Sequence, residues 1–315
     1  MSRRPINPAI PLLNGVSPSC VTLPSVKPAP WATVVDYLAH RMPAVSRDNW
    51  LSRVARGEVF TDNGDPLQAQ APYRSGARVY YYRQWPSEQV VPFEETVIFQ
   101  DDHLVVADKP HFLPVTPGGR FVQQTLLVRL QRRLNLPQLS PLHRIDRETA
   151  GLVLFSVNPG ERGAYQALFS GRAIEKTYEA IAAHSETLSW PHTRRSRLEE
   201  HPTDFFRMVE IEADDGSPPN SETTIALLER RGGWARYRLT PISGKRHQLR
   251  VHMNALGLPI VGDQFYPTVL RGPDEHEDFA TPLRLLAKGV AFTDPITGEP
   301  RSFQSRQSLA WPDPA

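Results

Sequence analysis

Two segments concentrate the side chains that can do chemistry. In residues 142–155, LHRIDRETAGLVLF, a charged cluster runs directly into an unbroken apolar stretch, so charge is held at the mouth of a strand. Asp146 lies there between Arg144 and Arg147. Such a carboxylate can serve as nucleophile or base, and it can equally form a local ion pair or cap a turn. In residues 243–266, SGKRHQLRVHMNALGLPIVGDQFY, Arg246 and Arg250 fall one helical turn apart beside an apolar stripe of Leu249, Met253 and Leu256. This reads as a basic surface helix, or as one in which one arginine reaches a buried carboxylate while the other approaches phosphate.

Other chemistries find less support. His247 and His252 stand five residues apart, which misses the one-face spacing of paired helical zinc ligands. The single cysteine, Cys20, excludes a Cys-based zinc site and an internal disulfide framework, and fits a reducing, cytoplasmic compartment. No second carboxylate presents itself as the partner acid of a glycosidase. No metal and no cofactor are expected.

The elements that must position these groups follow from periodicity. Apolar runs at residues 96–99 and 104–107, split by Asp101-Asp102, predict a β-hairpin. Val122, Leu126, Leu130 and Leu134 predict an amphipathic helix with Arg129, Arg132 and Arg133 on a basic exposed side, ended by Pro137. Strands are predicted at 152–155, 177–182, 223–228 and 236–239, and a helix at 246–256 closed by Gly257. Residues 185–220 are polar and proline-bearing and read as an exposed insertion. The fold class is α+β, with a mixed, mainly antiparallel sheet and flanking helices.

Ahead of this lies a smaller unit. From Trp31 the pattern gives two short helices, with Ser46 as N-cap of the second, then a hairpin through Asp62-Asn63-Gly64 and a strand at 79–82. Its end is placed near Trp85, with Pro86-Ser87 as linker. Seven prolines before residue 31 forbid an amphipathic targeting helix, and residues 1–28 are expected to be a mostly disordered arm. The expected division is therefore 1–28, 29–88 and 89–315.

At 315 residues the chain has room for a large core, and its 40% apolar content and lack of a long apolar run predict a soluble protein with no membrane span. The net charge of +2 does not by itself identify a polyanion partner; the placement of the cations must do that.

HRIDRETAGLVLF resembles the HRLD-x-x-T-S-G-L motif of the RluA-type family of pseudouridine synthases. DDHLVVADKP at 101–110, EKTYEAIAA at 175–183, the 243–266 segment and LRLLAKGVAFTDPITGE at 283–299 also match, in the family's order. Ile145, Ala150 and Leu286 depart from the commoner Leu, Ser and His without removing a group the chemistry needs. The resemblance implies a cofactor-free isomerase of uridine in structured RNA, ribosomal RNA favoured over transfer RNA, acting as a monomer. It implies that Asp146 is the nucleophile, Tyr178 lies against the base, Arg250 pairs with the aspartate, Leu249 sits beside the base and Arg144 fills the space of the extruded nucleotide. His143, Arg246 and Lys109, within the same motifs, are further substrate contacts on this reading.

Residues 31–85 are similar to the small RNA-binding domain shared by a ribosomal protein and many of these enzymes, through Ser46-Arg47, Gly57, Val59, Asn63-Gly64 and Gly76. Val34-Val35-Asp36 and Ala77 depart from that pattern. On that resemblance Arg47, Arg53 and Arg56 follow RNA phosphates, and the basic exposed side of the 122–134 helix makes Arg129, Arg132 and Arg133 further RNA-binding candidates. The competing reading is a non-catalytic RNA-binding or ribosome-assembly protein that keeps the fold.

Overall fold

Hydrophobic periodicity and capping residues set the elements of a computed structural model that describes residues 7, 9–13, 15–83, 88–211, 216–272 and 275–312. The chain divides into two units, residues 1–88 and 89–315. Trp85 and the Pro86-Ser87 linker expectation lie outside the described residues.

In the first unit, strand β1 (Ser19–Thr22) is followed by helices α1 (Val34–Arg41) and α2 (Arg47–Ala55) and strands β2 (Val59–Phe60) and β3 (Arg78–Tyr81). Thr33 Oγ1 accepts from the Asp36 N–H while Asp36 Oδ2 accepts from the Thr33 N–H, which starts α1 with a reciprocal cap. Ser46 caps α2 as expected by accepting from the Asn49 N–H. Both helices bury an apolar stripe, including Val35, Leu38 and Trp50, against Val59 and Val79 of the sheet.

The expected disordered arm is corrected over residues 15–28, whereas residues 1–6, 8 and 14 lie outside the described residues. Ser19–Thr22 is the strand β1, paired antiparallel to β3 with Ser19 opposite Tyr81, and Ile10, Val16 and Leu23 are buried. Prolines bar a helix but leave an extended strand open, and these apolar side chains tie the segment down.

The second unit holds β4 (Thr96–Gln100), β5 (Leu104–Lys109), helix α3 (Leu126–Leu134), β6 (Ser140–Pro141), β7 (Ala150–Ser156), α4 (Arg162–Ser170) and β8 (Glu175–Ala183). There follow β9 (His192–Glu200), β10 (Met208–Ile211), β11 (Ser221–Arg231), β12 (Trp234–Pro241), α5 (Gln248–Ala255), β13 (Leu285–Thr293) and β14 (Pro300–Gln304). Among the described residues one mixed sheet runs β10-β9-β11-β12-β8-β13-β7-β5-β4, with β14 on β13 and β6 on β7. Its one parallel pairing joins β13 to β7.

β5 and β7 read as continuous apolar runs because both faces are covered. Val105, Ala107, Val153 and Phe155 meet Leu126 and Leu130 of α3, whereas Leu104, Val106, Leu152 and Leu154 meet Tyr165 of α4. On the other half of the sheet, Leu249 and Met253 of α5 pack on Ala180, Tyr237 and Leu239.

Residues 185–220 are largely exposed as expected, but among the described residues they are part of the sheet and not an insertion outside it. They supply β9 and β10, held by pairs of Arg194 with Glu210 and of Arg195 with Glu222 across the strands.

Candidate active site

The segment before β7 is fixed carbonyl by carbonyl. The Thr149 N–H donates to Asp146 O at 3.2 Å, Lys109 Nζ to Arg147 O at 3.0 Å and His111 Nδ1 to Glu148 O at 2.7 Å. Lys109 is wholly buried and donates also to Pro110 O at 2.9 Å. Burial pushes its pKa down to about 7, against the opposing charges of Glu148 and Asp146. A neutral amine has two N–H donors, and two carbonyls receive them.

β13 locks this segment to the strand that carries Tyr178. Ala287 stands opposite Gly151 of β7 on one side and opposite Tyr178 of β8 on the other. Gly151 takes φ +110°, and a Cβ there would come within 2.3 Å of Ala287 O, so only glycine permits this approach.

α5 brings in the cation. His247 turns the chain into the helix in a left-handed conformation, φ +53°, uncommon for a residue with a side chain. Gln248 Nε2 donates to Thr223 Oγ1 at 2.9 Å and His252 Nδ1 bonds the same hydroxyl at 2.9 Å, anchoring α5 to β11. Arg250, between them, gives Nε and Nη2 to Asp263 at 2.8 and 2.6 Å. Asp263 follows Gly262, where a Cβ would lie 2.4 Å from Pro282 O.

The remaining nitrogen, Arg250 Nη1, faces two more carboxylates, Asp146 Oδ2 at 3.6 Å and Glu148 Oε2 at 3.5 Å, and has no hydrogen-bond partner among the described residues. Burial opposes the Arg250 charge, but its hydrogen bonds to Asp263 and the charges of Asp263, Glu148 and Asp146 outweigh it and raise its pKa. Glu148 is held as a carboxylate down to about pH 2, because Arg147 and Arg250 overcome its burial. Asp146 differs from both acids. Its side chain is 23% exposed, makes no hydrogen bond among the described residues, and has His247 Nε2 4.0 Å away. Its oxygens are supported by charge and still open to a reactant.

A cavity of about 90 Å³ is lined by Asp146, Tyr178, Leu249 and Arg250 together with Arg144. Burial and the charge of Asp146 keep the Tyr178 phenol protonated well above the ordinary range. A cleft of about 1050 Å³ shares Arg144, Asp146 and Tyr178 with this cavity. Among the described residues six cations line the cleft, Arg144, Arg147, Arg172, Lys176, Lys245 and Arg246, and Asp146 is the only carboxylate.

The structure thus gathers Asp146, Tyr178, Arg250, Leu249 and Arg144, from three separate chain segments. Other expected contacts are placed differently. His143 stacks on Phe169 and accepts the Leu154 N–H at Nε2, so its ring is spent on the loop even though it borders the cleft. Lys109 lines neither cavity and acts from beneath the loop. Arg246 borders the cleft, but its Nη2 donates to the carbonyls of Phe205 and Arg207.

Nor are the proposed phosphate arginines free. Arg129 binds the carbonyls of Val91 and Phe93, and Arg133 binds Glu95 O and the Glu95 carboxylate. Arg132 is exposed. In the first unit Arg53 is buried over the Trp50 ring, and Arg47 and Arg56 are paired with Asp36 and Glu58. Cations so committed make poor trackers of phosphate. Sequence reasoning missed Glu148, Asp263 and His247; the last two were signalled only by lying in the segment that holds Arg250.

A family described as RNA pseudouridylate synthase matches residues 103–255, a span that contains the whole Asp146–Tyr178–Arg250 set. The dual-specificity RNA pseudouridine synthase RluA of Vibrio parahaemolyticus is 32% identical over 211 residues, covering 63% of this chain and 78% of that one. The chain belongs to the RNA pseudouridine synthase family, whose members are isomerases.

Two further pseudouridine synthases extend the likeness. The ribosomal large subunit pseudouridine synthase D of Xanthomonas campestris is 29% identical over 279 residues, covering 84% of this chain and 82% of that one. The solved human RNA pseudouridylate synthase domain containing 4 is 25% identical, with a TM-score of 0.53, over 68% of this chain and 88% of that one. No helix among the described residues is long and apolar enough to cross a membrane.

Proposed function

We propose that the chain isomerises uridine to pseudouridine in structured RNA, ribosomal RNA in preference to transfer RNA, with Asp146 as nucleophile, as a cytoplasmic monomer needing no cofactor or metal. The observation that carries this reading is the state of Asp146: a partly exposed carboxylate with free oxygens, 3.6 Å from a buried guanidinium, and among the described residues the one carboxylate beside six cations in a cleft. A chain with a net charge of only +2 that gathers its cations there is suited to a polyanion.

The reaction breaks the bond from ribose to the base nitrogen, turns the uracil and rejoins it through carbon 5. The carbon 5 proton leaves and the freed nitrogen takes one, so composition is unchanged and no redox partner is required. Asp146 supplies the electron pair in the covalent step and Arg250 holds its charge. The target base must leave its stack, at a cost of a few kcal/mol. Tyr178 gives it a flat partner, Leu249 an apolar edge, and Arg144 occupies the gap.

The preference for ribosomal RNA draws on the ribosomal relative from Xanthomonas, whose likeness covers more of this chain than residues 89–315 contain. The dual-specificity relative's does not exceed that unit. Residues 29–88 on this reading assist docking to RNA, through groups other than the buried Arg53. Mapping pseudouridine across cellular ribosomal and transfer RNA with and without the gene tests the proposal. Loss of specific ribosomal sites is expected, and an unchanged map overturns it.

A further inference from the structure

The six cations of the cleft are not equivalent. Arg147 is bound to Glu148, Arg246 to two main-chain carbonyls, and Lys176 Nζ donates to Ser243 O at 3.3 Å. Arg144, Arg172 and Lys245 make no side-chain hydrogen bond or ion pair among the described residues. Arg144 already has a role at the vacated stack. Arg172 and Lys245 have none.

Their placement is consistent. Arg172 is exposed just past the end of α4 with φ +57°, a left-handed position that costs a non-glycine residue energy. Lys245 is exposed on the turn that leads into α5, one residue beyond Gly244. Lys176 ties the two together: its Nζ holds the Ser243 carbonyl, and Arg172 is the neighbouring charge felt by its ammonium. A tied cation, Lys176, therefore links the segment that carries Lys245 to Arg172 in the lining of the cleft.

We propose that Arg172 and Lys245 bind the phosphates that flank the target nucleotide, setting its register against Asp146. This deepens the reading of the cleft as an RNA site and rests on it. Unpaired, solvated cations lose no internal partner when they meet phosphate, and each phosphate neutralised releases condensed counterions. The committed cations, by contrast, would have to give up a bond first.

The test uses the full chain and a defined RNA hairpin with a uridine-bearing loop, its affinity measured between 50 and 200 mM KCl. Removing two phosphate contacts lowers the slope of log affinity against log salt by about 1.4 to 1.8, at about 0.7 to 0.9 per contact. That drop is expected for the double variant Arg172→Gln with Lys245→Gln. Arg172→Lys with Lys245→Arg should restore the slope, and the exposed pair Arg230→Gln with Arg231→Gln, outside the cleft, should leave it at the wild-type value. An undiminished slope in the cleft double variant, with its thermal midpoint unchanged, overturns the proposal. The reading of the activity fails separately, if the wild type makes no pseudouridine in ribosomal or transfer RNA, whatever the slope does.

Discussion

Arg250 and Asp263 form a two-pronged ion pair, at 2.8 and 2.6 Å, from which solvent is excluded on both sides. The pair fixes the plane of the guanidinium and so decides which nitrogen faces Asp146. Breaking one partner of a buried pair leaves the other charge unsupported. Asp263→Asn is expected to destabilise the protein by about 3 to 5 kcal/mol in urea denaturation. A loss below about 1 kcal/mol would show that Asp146 and Glu148 suffice to hold Arg250.

Gly151 tests the seam between β7 and β13. With φ +110° and a would-be Cβ 2.3 Å from Ala287 O, Gly151→Ala must shift the backbone that aligns Asp146 with Tyr178. Strain of this kind costs about 1 to 3 kcal/mol before the steric clash is added. The contrast is Gly160→Ala, where nothing lies within 4 Å of the new methyl and little change in thermal midpoint is expected.

Lys109 gives a pH dependence. Its folded pKa, about 7, lies below the ordinary lysine value of 10.5, so between those limits the unfolded chain binds the extra proton. Stability from this group therefore rises with pH from about 7 to about 10 and is lowest below 7. Lys109→Met removes that contribution, so the difference in denaturation midpoint between wild type and variant should change across this window. A constant difference would mean that the buried amine stays charged.

Tyr178 is expected to act on the base through its ring face. Base–aromatic stacking contributes about 1 to 3 kcal/mol, or roughly tenfold or more in affinity. Tyr178→Ala should raise KM by about that factor, whereas Tyr178→Phe should leave KM within about threefold. Equal increases would assign the binding role to the phenol oxygen.

Much of this was legible because it had amplitude in the sequence. The β4–β5 hairpin, α3, β7, β8 and α5 all carry apolar periods, with Asp146 just ahead of β7 and Arg250 within the apolar stripe of α5. β9 was hidden because it has almost no buried face: of HTRRSRLEE only Leu198 is buried, so no apolar alternation marks the strand, and ion pairs link it to its neighbours. β1 was hidden by the prolines around it and by pairing with a strand about sixty positions away, Ser19 with Tyr81. The arginines were the least readable. Residue type cannot tell a guanidinium spent on carbonyls, as in Arg129, from one left free, as in Arg172.

The central claim, that Asp146 performs the covalent step in a cleft built for RNA, is tested most directly by tritium release. Transcripts of ribosomal RNA carrying tritium at carbon 5 of uridine lose it when the base rejoins through that carbon. Wild-type protein should release tritium, and Asp146→Asn should release none while binding the same transcript with similar affinity. Release by Asp146→Asn at a rate near that of the wild type would contradict the account.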